Sequence, residues 1–246
     1  MKAVEPIWQA KPETASRVRG RVESVLDWAT ARGYRTGENP ARWKGHLDKL
    51  LPARAKLQRI AHHSALPYPE IAEFMAKLRE REGIAARALE FAILTVARTG
   101  EVVGARWSEF NFEAKMWLVP AERMKAGREH RVALSDTAMA ILSAMERKGD
   151  RVFPISNMGM LMLLRRMKRT DLTVHGFRST FADWVSEQTG FPSELREMAL
   201  AHQVGDKVEA AYRRGDLFAK RRQLAEAWGR FCLGGKAEVI ALRAAS

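Results

Sequence analysis

Cysteine is almost absent: Cys232 stands alone among 246 residues. A single thiol can form no intrachain disulfide and no thiolate metal cluster, and a reducing cytoplasm fits such a chain. Long apolar runs are missing too, since none approaches the ~20 residues that span a bilayer. The opening stretch MKAVEPIWQAKPETASRVRG carries charge without a continuous apolar block before a small-residue cleavage site, so neither membrane insertion nor a secretory signal is expected. No internal repeat and no low-complexity segment interrupts the chain. Absent as well are HExxH, paired CxxC, a glycine-rich loop ending in GK[ST] and an evident carboxylate cluster. Metal-assisted phosphodiester cleavage therefore lacks obvious ligands, and neither a metal nor another cofactor is expected. Tyrosine is scarce, at three residues.

Acidic residues are outnumbered. Lys and Arg total 42 against 29 Asp and Glu, a formal charge of +13. Residues 1–60 hold 13 Lys and Arg against 6 Asp and Glu, an excess of +7, so the first quarter carries about half of it. Such a surface favours a polyanion, and nucleic acid is the common one, because each phosphate neutralised on duplex DNA releases counterions with a salt slope of roughly −0.9. The apolar share of 46% is ordinary for a globular protein, and the length allows one large domain or two small ones.

From Glu13 to Arg32 the apolar residues Val18, Val22, Val25, Leu26 and Ala29 recur at helical spacing, with Lys11, Arg17, Arg21 and Arg32 off that stripe or at its edge. GYRTGENP breaks the helix, a second short helix is expected over ARWKGHLDKLL, and PARAKLQRIAHHSALPYP reads as a basic linker. EIAEFMAKLRERE and AARALEFAILTVAR read as two packed helices. Two β-like runs, Met116 to Val119 and Arg131 to Leu134, bracket a polar turn rich in Lys, Gly and Arg. From Asp136 to Phe231 the pattern is helical again. The expected fold class is mainly α with a small antiparallel β-sheet (α+β).

HGFRSTFADW places His175 and Arg178 three apart at a helix start, and RTGE does the same with Arg98 and Glu101. Lys125 falls at the hairpin tip, and His202 precedes Tyr212 by ten residues in AHQVGDKVEAAY. Singly, each has an ordinary structural explanation: a helix ion pair, a capping histidine, a solvated turn lysine, a half-buried aromatic. Together they fit one chemical problem. An unperturbed tyrosine, pKa about 10, is ionised to roughly one part in a thousand at pH 7, a deficit of ~4 kcal/mol for a nucleophile. Two arginines can grip the non-bridging oxygens of a phosphodiester and stabilise a pentavalent transition state. A lysine can protonate a leaving 5′ oxygen, and histidines can position the phosphate or relay protons. A covalent route needs no metal and keeps the energy of the broken bond in a phosphotyrosyl ester.

The series ARTGEVVGARWSEF, ERMKAGREHRVALS, HGFRSTFADW and LAHQVGDKVEAAYRRGDLFAKRR resembles the tyrosine recombinase family, specifically the prophage and genomic-island integrases of the satellite-phage type. A lone HxxR is a weak signal; RxGE, a hairpin lysine, HxxR, a later histidine and then tyrosine, in that order, is a strong one. The resemblance implies a tyrosine recombinase catalytic domain at 67–234, preceded by a partial helical core-binding domain at 1–52 and a basic linker at 53–66, and followed by a tail at 235–246. It implies Arg98 and Arg178 as phosphate-clamping arginines, Lys125 as general acid, His175 as the histidine of the His-x-x-Arg box, His202 as the later histidine and Tyr212 as the nucleophile of a 3′-phosphotyrosyl link. Glu101 would be a structural partner that orients the site. Arg123 and Arg128 share the hairpin with Lys125, so the alignment of the lysine rests on a turn that can slip. Arg17, Arg21 and Lys44, with Arg213 and Arg214 beside the tyrosine, are candidate DNA contacts.

The implied partners are double-stranded DNA at an attachment-site core, further copies in a homo-tetramer on DNA with a monomer when free, accessory DNA-bending proteins and an excisionase; the implied location is the bacterial cytoplasm, at the nucleoid. Relatives of this type begin with an arm-type DNA-binding domain and a full core-binding domain, whereas this chain starts about halfway through the latter. A truncated integrase is therefore expected, with a complete active site on a chain that recombines poorly or not at all. The C-terminal run with Leu217, Leu224, Ala225, Trp228 and Phe231 at helical spacing, and Lys220, Arg221 and Arg222 on its surface, either packs on a neighbouring protomer, as the family implies, or on its own domain. Two alternatives stand beside this reading. HGFRSTFADWVSEQTGFPSELREMALAH has the outline of a helix-turn-helix, which would make the protein a non-catalytic DNA-binding regulator. A type IB topoisomerase would share the chemistry without sequence preference.

Overall fold

The structure, a computed structural model, describes residues 4–52, 65–202 and 215–235. Most of the expected linker and tail falls outside them. The chain divides into two compact units, 1–62 and 63–246.

The first unit holds helices α1 (Glu5–Trp8) and α2 (Pro12–Ala31), each opened by a proline in its first turn, where the missing N–H costs nothing. Its core is small: Val4, Trp8, Ala15 and Leu51, flanked by Ile7, Val18 and Trp43. Trp8 stacks on Trp43 with ring centroids 5.4 Å apart and donates to the Pro52 carbonyl at 2.9 Å. Polar staples hold the segment that returns after α2. Asn39 donates to the Glu23 carbonyl at 2.8 Å and to Asp27 at 2.6 Å, while Glu23 accepts from the Trp43 N–H at 3.1 Å. Two expectations need correction. The stripe on α2 is only half used, since Val18 is half-buried but Val22 and Val25 are exposed. No helix spans ARWKGHLDKLL: Gly45 adopts φ +78, which breaks helical geometry, and only a 3-10 turn, Leu47–Lys49, forms.

In the second unit a central helix, α4 (Ile84–Thr95), has nine buried residues and is apolar on nearly every side, the signature of a helix surrounded by protein. Around it lie α3 (Ile71–Arg79), α5 (Thr99–Val103), α6 (Asp136–Ala144), α7 (Gly159–Arg166) and α10 (Phe218–Cys232). Helices α8 (Gly176–Gln188) and α9 (Ser193–Ala199) complete the described helices. The one charge buried in α4, Glu90, is paired with Arg79 at 2.5 Å and Arg87 at 2.8 Å.

The antiparallel sheet runs in the order β1 (Phe110–Asn111), β2 (Met116–Val119), β3 (His130–Ala133). β2 matches its expected run, β3 begins one residue earlier than expected, and the two-residue β1 was not expected at all. Strand alternation sends Trp117 and Val119 inward, with Trp117 opposite Val132 and Val119 opposite His130. The fold class is thus mainly helical with a small antiparallel sheet.

Helix α10 packs on its own unit. Trp228 is fully buried against Phe181 and Trp184 and donates to the Ile93 carbonyl at 2.9 Å. A Cβ at Gly229 would lie 3.0 Å from Ser135 Oγ, so glycine permits this close approach to the start of α6. Arg221, expected on the surface, is buried: its guanidinium binds Asp216 and the Arg131 carbonyl, and a partner on each side is what makes burial of the charge tolerable.

Candidate active site

Two helices of the second unit end beside each other. α4 closes at Val96, in the left-handed region at φ +50, an uncommon conformation for a β-branched residue. α9 closes through Leu200 and Ala201, the latter at φ +49. Carbonyls at such ends lack intrahelical partners and sit at the negative pole of the helix dipole. Here they face two guanidinium groups. Arg178 donates to the Val96 carbonyl and, at 2.5 Å, to the Leu200 carbonyl. Arg98 donates to the same Leu200 carbonyl at 3.4 Å and to that of Ala201 at 3.3 Å. Residues 80 positions apart in sequence thus meet on one oxygen.

Glu101 fixes the first of them. Its carboxylate accepts from the Arg98 backbone N–H and from Arg98 Nη1, both at 2.8 Å, so one buried group both caps α5 and aims the guanidinium. Arg178 is 5% exposed, and burial, followed by the positive charge of Arg98 and opposed by Glu101, pushes its pKa down to about 10. It remains charged at neutral pH. Two cations against a single carboxylate leave the cluster short of negative charge, a condition an incoming phosphate would satisfy.

His202 joins this cluster. Its Nε2 lies 3.3 Å from Arg178 Nη2 and its Nδ1 lies 2.8 Å from Glu197 Oε2. His175 stands, exposed, at the position before α8 without a side-chain capping bond, and its carbonyl accepts the Arg178 N–H at 3.1 Å. Lys125 is exposed on the turn between β2 and β3 and makes no hydrogen bond or ion pair with a described residue. Arg123, the competing cation, is committed elsewhere: it binds Glu109 at 2.5 Å and the Glu101 carbonyl at 3.2 Å. A Cβ at Gly104 would meet Arg123 Nη1 at 2.5 Å, so the glycine opens the path for this side chain. The structure therefore brings Arg98, Glu101, Arg178 and His202 together. Tyr212, Arg213 and Arg214 lie outside the described residues. Arg17, Arg21 and Lys44 are exposed on the first unit.

Two residues at the cluster escaped the sequence reading. Glu197 is one. The other is His130 on β3, whose pKa burial pushes down to about 4, with Arg221 and Arg98 acting in the same direction and Glu101 and the Ala199 carbonyl opposing. It is a neutral imidazole at physiological pH. Its only sequence signal is a histidine immediately before the expected strand run, at the residue by which β3 extends it.

Comparison with known proteins places the fold in a class. The fold matches lambda integrase residues 75–356, solved as a dimer bound to a COC′ core site, at TM-score 0.58 and 18% identity over 82% of this chain and 76% of that one. An integrase from mycobacterium phage Brujita matches at TM-score 0.51 and 17% identity, over 89% of this chain and 75% of that one. Residues 65–216 match the phage integrase family, and residues 1–46 match the phage integrase central domain. The chain belongs to the phage integrase family, the tyrosine recombinases. Among curated relatives, prophage integrase IntA of Escherichia coli K12 is 33% identical over 93% of this chain and 57% of its own length; the integrase of Enterobacteria phage P4 is 28% identical over 89% and 54%. The chain spans little more than half the length of these relatives.

Proposed function

We propose that the protein is a site-specific DNA recombinase that cleaves and rejoins strands through a 3′-phosphotyrosyl intermediate, integrating or excising a prophage or genomic island. The observation that carries this reading is the convergence of Arg98 and Arg178 on the Leu200 carbonyl, braced by Glu101 and touched by His202. On this reading the paired guanidiniums clamp the scissile phosphate and stabilise charge developing in the transition state. Tyr212 attacks the phosphorus and releases a 5′ hydroxyl. Lys125, exposed on its turn with no other described partner, donates the proton to that leaving oxygen; His175 and His202 position the phosphate. The partner is duplex DNA at an attachment core, in a tetramer on DNA, aided by DNA-bending proteins and an excisionase. The setting is the bacterial cytoplasm, at the nucleoid; among the described residues no helix is long and apolar enough to cross a membrane. The division into a core-binding domain at 1–52 and a catalytic domain at 67–234 belongs to the same proposal.

The test is a nicked attachment-core substrate that traps the covalent intermediate. The expected result is an SDS-resistant protein–DNA adduct that Tyr212→Phe abolishes while DNA binding persists. No adduct from the unaltered chain, with binding intact, would favour a helix-turn-helix regulator or an inactive remnant. Relaxation of supercoiled DNA without sequence preference would favour the topoisomerase reading.

A further inference from the structure

The contacts of His202 determine which of its ring nitrogens carries the proton. A guanidinium can only donate. Arg178 Nη2, 3.3 Å from Nε2, therefore requires Nε2 to accept, and the proton of the neutral ring sits on Nδ1, facing Glu197 Oε2 at 2.8 Å. This carboxylate is itself fixed. Its other oxygen, Oε1, accepts from Arg196 Nε at 2.9 Å and Nη2 at 2.8 Å, and Arg196 in turn reaches Ser186 on α8 at 2.5 Å. A backbone bond, His202 N–H to the Glu197 carbonyl at 2.9 Å, closes the ring between the two residues. Burial pushes the Glu197 carboxyl up, but the hydrogen bonds from His202 and Arg196 outweigh it and hold the group below its ordinary value. It is ionised wherever the protein is near neutral pH.

We infer that Glu197 is a positioning residue for the reaction: it selects the Nδ1–H tautomer of His202 and thereby aims the Nε2 lone pair at the arginine pair where the phosphate would sit. The inference rests on the proposed role of that pair as the phosphate clamp. With Nδ1–H held by a carboxylate, Nε2 keeps its lone pair as the acceptor of the Arg178 N–H, so the imidazole braces the guanidinium beside the phosphate. Without Glu197, nothing among the described residues holds Nδ1, and the ring can protonate on Nε2, placing one donor against another at Arg178.

The closing experiment has two readouts. The ring ¹⁵N signals of the full chain at pH 8, above the ordinary imidazole pKa of about 6.5, report the tautomer directly, and His202→Gln identifies the His202 signal among the six histidines. The unaltered protein should show Nδ1–H, and Glu197→Ala should shift the ring toward Nε2–H; Glu197→Leu, which fills the space without an acceptor, provides a second variant should the first fold poorly. Nε2–H in the unaltered protein, or a tautomer indifferent to both variants, overturns the inference. The second readout is the rate of adduct formation. Removal of the Glu197 carboxylate should slow it about tenfold in the unaltered background and less than about twofold in a His202→Gln background, the non-additivity expected of one hydrogen-bonded network. Equal losses in both backgrounds would mean that Glu197 acts on folding and not through His202. Because the tautomer is read without DNA, an absence of adduct refutes the recombinase reading alone.

Discussion

The two units use the same kind of residues in opposite ways. Helix α2, twenty residues long, buries only Pro12 and Ala15, whereas α4, twelve residues long, buries nine. In the first unit, apolar side chains such as Val25 and Trp28 are 63% and 55% exposed, and the arginines at 17 and 21 are solvated. In the second, arginines turn inward: Arg178 and Arg221 end on backbone carbonyls beneath the surface. A guanidinium can be buried only where several acceptors already stand in place. Carbonyls brought from several elements, as in the second unit, fix a guanidinium in one place. The first unit fixes Arg19 in this way, on Glu23 and the Ala41 carbonyl, but leaves Arg17 and Arg21 in solvent, suited to long-range attraction.

The largest effect that would test this contrast is a pair of tryptophan truncations. Trp228→Ala removes a fully buried ring packed on Phe181, Trp184 and Phe231, and should cost about 3–5 kcal/mol in the denaturation of the second unit. Trp28→Ala should change stability by less than about 0.5 kcal/mol, because that ring is 55% exposed and lies beside Tyr34 and Arg32. Denaturant midpoints followed by circular dichroism provide the measurement. Comparable losses from the two substitutions would show that the exposed face of α2 is covered in the protein as it exists.

The same contrast explains what could be read in advance. Helix α2 was legible to within a residue at each end because a periodic stripe and the break at GYRTGENP mark it locally. Its exposure was not, since periodicity records which face is apolar and not whether anything covers it. Arg98, Glu101 and Arg178 were legible from short motifs at helix starts. Glu197 and His130 were not, because their importance arises from contacts across elements: His130 lies near Arg98 and Glu101 only after β3 folds back, and Glu197 reaches His202 only because Ala201, an alanine, takes a left-handed turn that no glycine announced. Arg221 was misplaced for a related reason, as a basic triplet on a helix gives no sign of which member meets carbonyls from a strand.

A second, smaller effect contrasts a buried imidazole with solvated ones. His130 has a folded pKa near 4, against an ordinary value of about 6.5, because burial and the neighbouring cations disfavour its charged form. The unfolded chain therefore binds a proton more readily than the folded one. The stability that this group confers is complete above about pH 6.5 and falls as the pH drops towards 4, a loss of about 2–3 kcal/mol allowing for the partial exposure of the ring. Denaturant midpoints measured between pH 7 and pH 4 should decline less steeply in His130→Gln than in the unaltered protein. An identical slope in the two would mean that His130 gains its proton freely in the folded state.

The smallest effect is expected where the cations are solvated. Arg17 pairs with Glu13 at 2.8 Å with its side chain 71% exposed, a contact worth little in water, and Arg21 is exposed on the same helix. Arg17→Ala with Arg21→Ala should therefore leave stability within about 0.5 kcal/mol of the unaltered value. Their proposed role lies in DNA attraction, which salt dependence isolates: if each neutralises one phosphate, the slope of log K against log salt should flatten by about 0.9 per residue, or roughly 1.8 for the pair, with little change in preference between sequences. Arg178→Lys is the contrasting substitution from the second unit. It keeps the charge but loses the fork that spans the Val96 and Leu200 carbonyls, so adduct formation should fall while the salt slope of binding stays close to the original. A slope that does not respond to the paired substitution on α2 would place the attracting cations elsewhere, and would leave the exposed face of that helix without an electrostatic role.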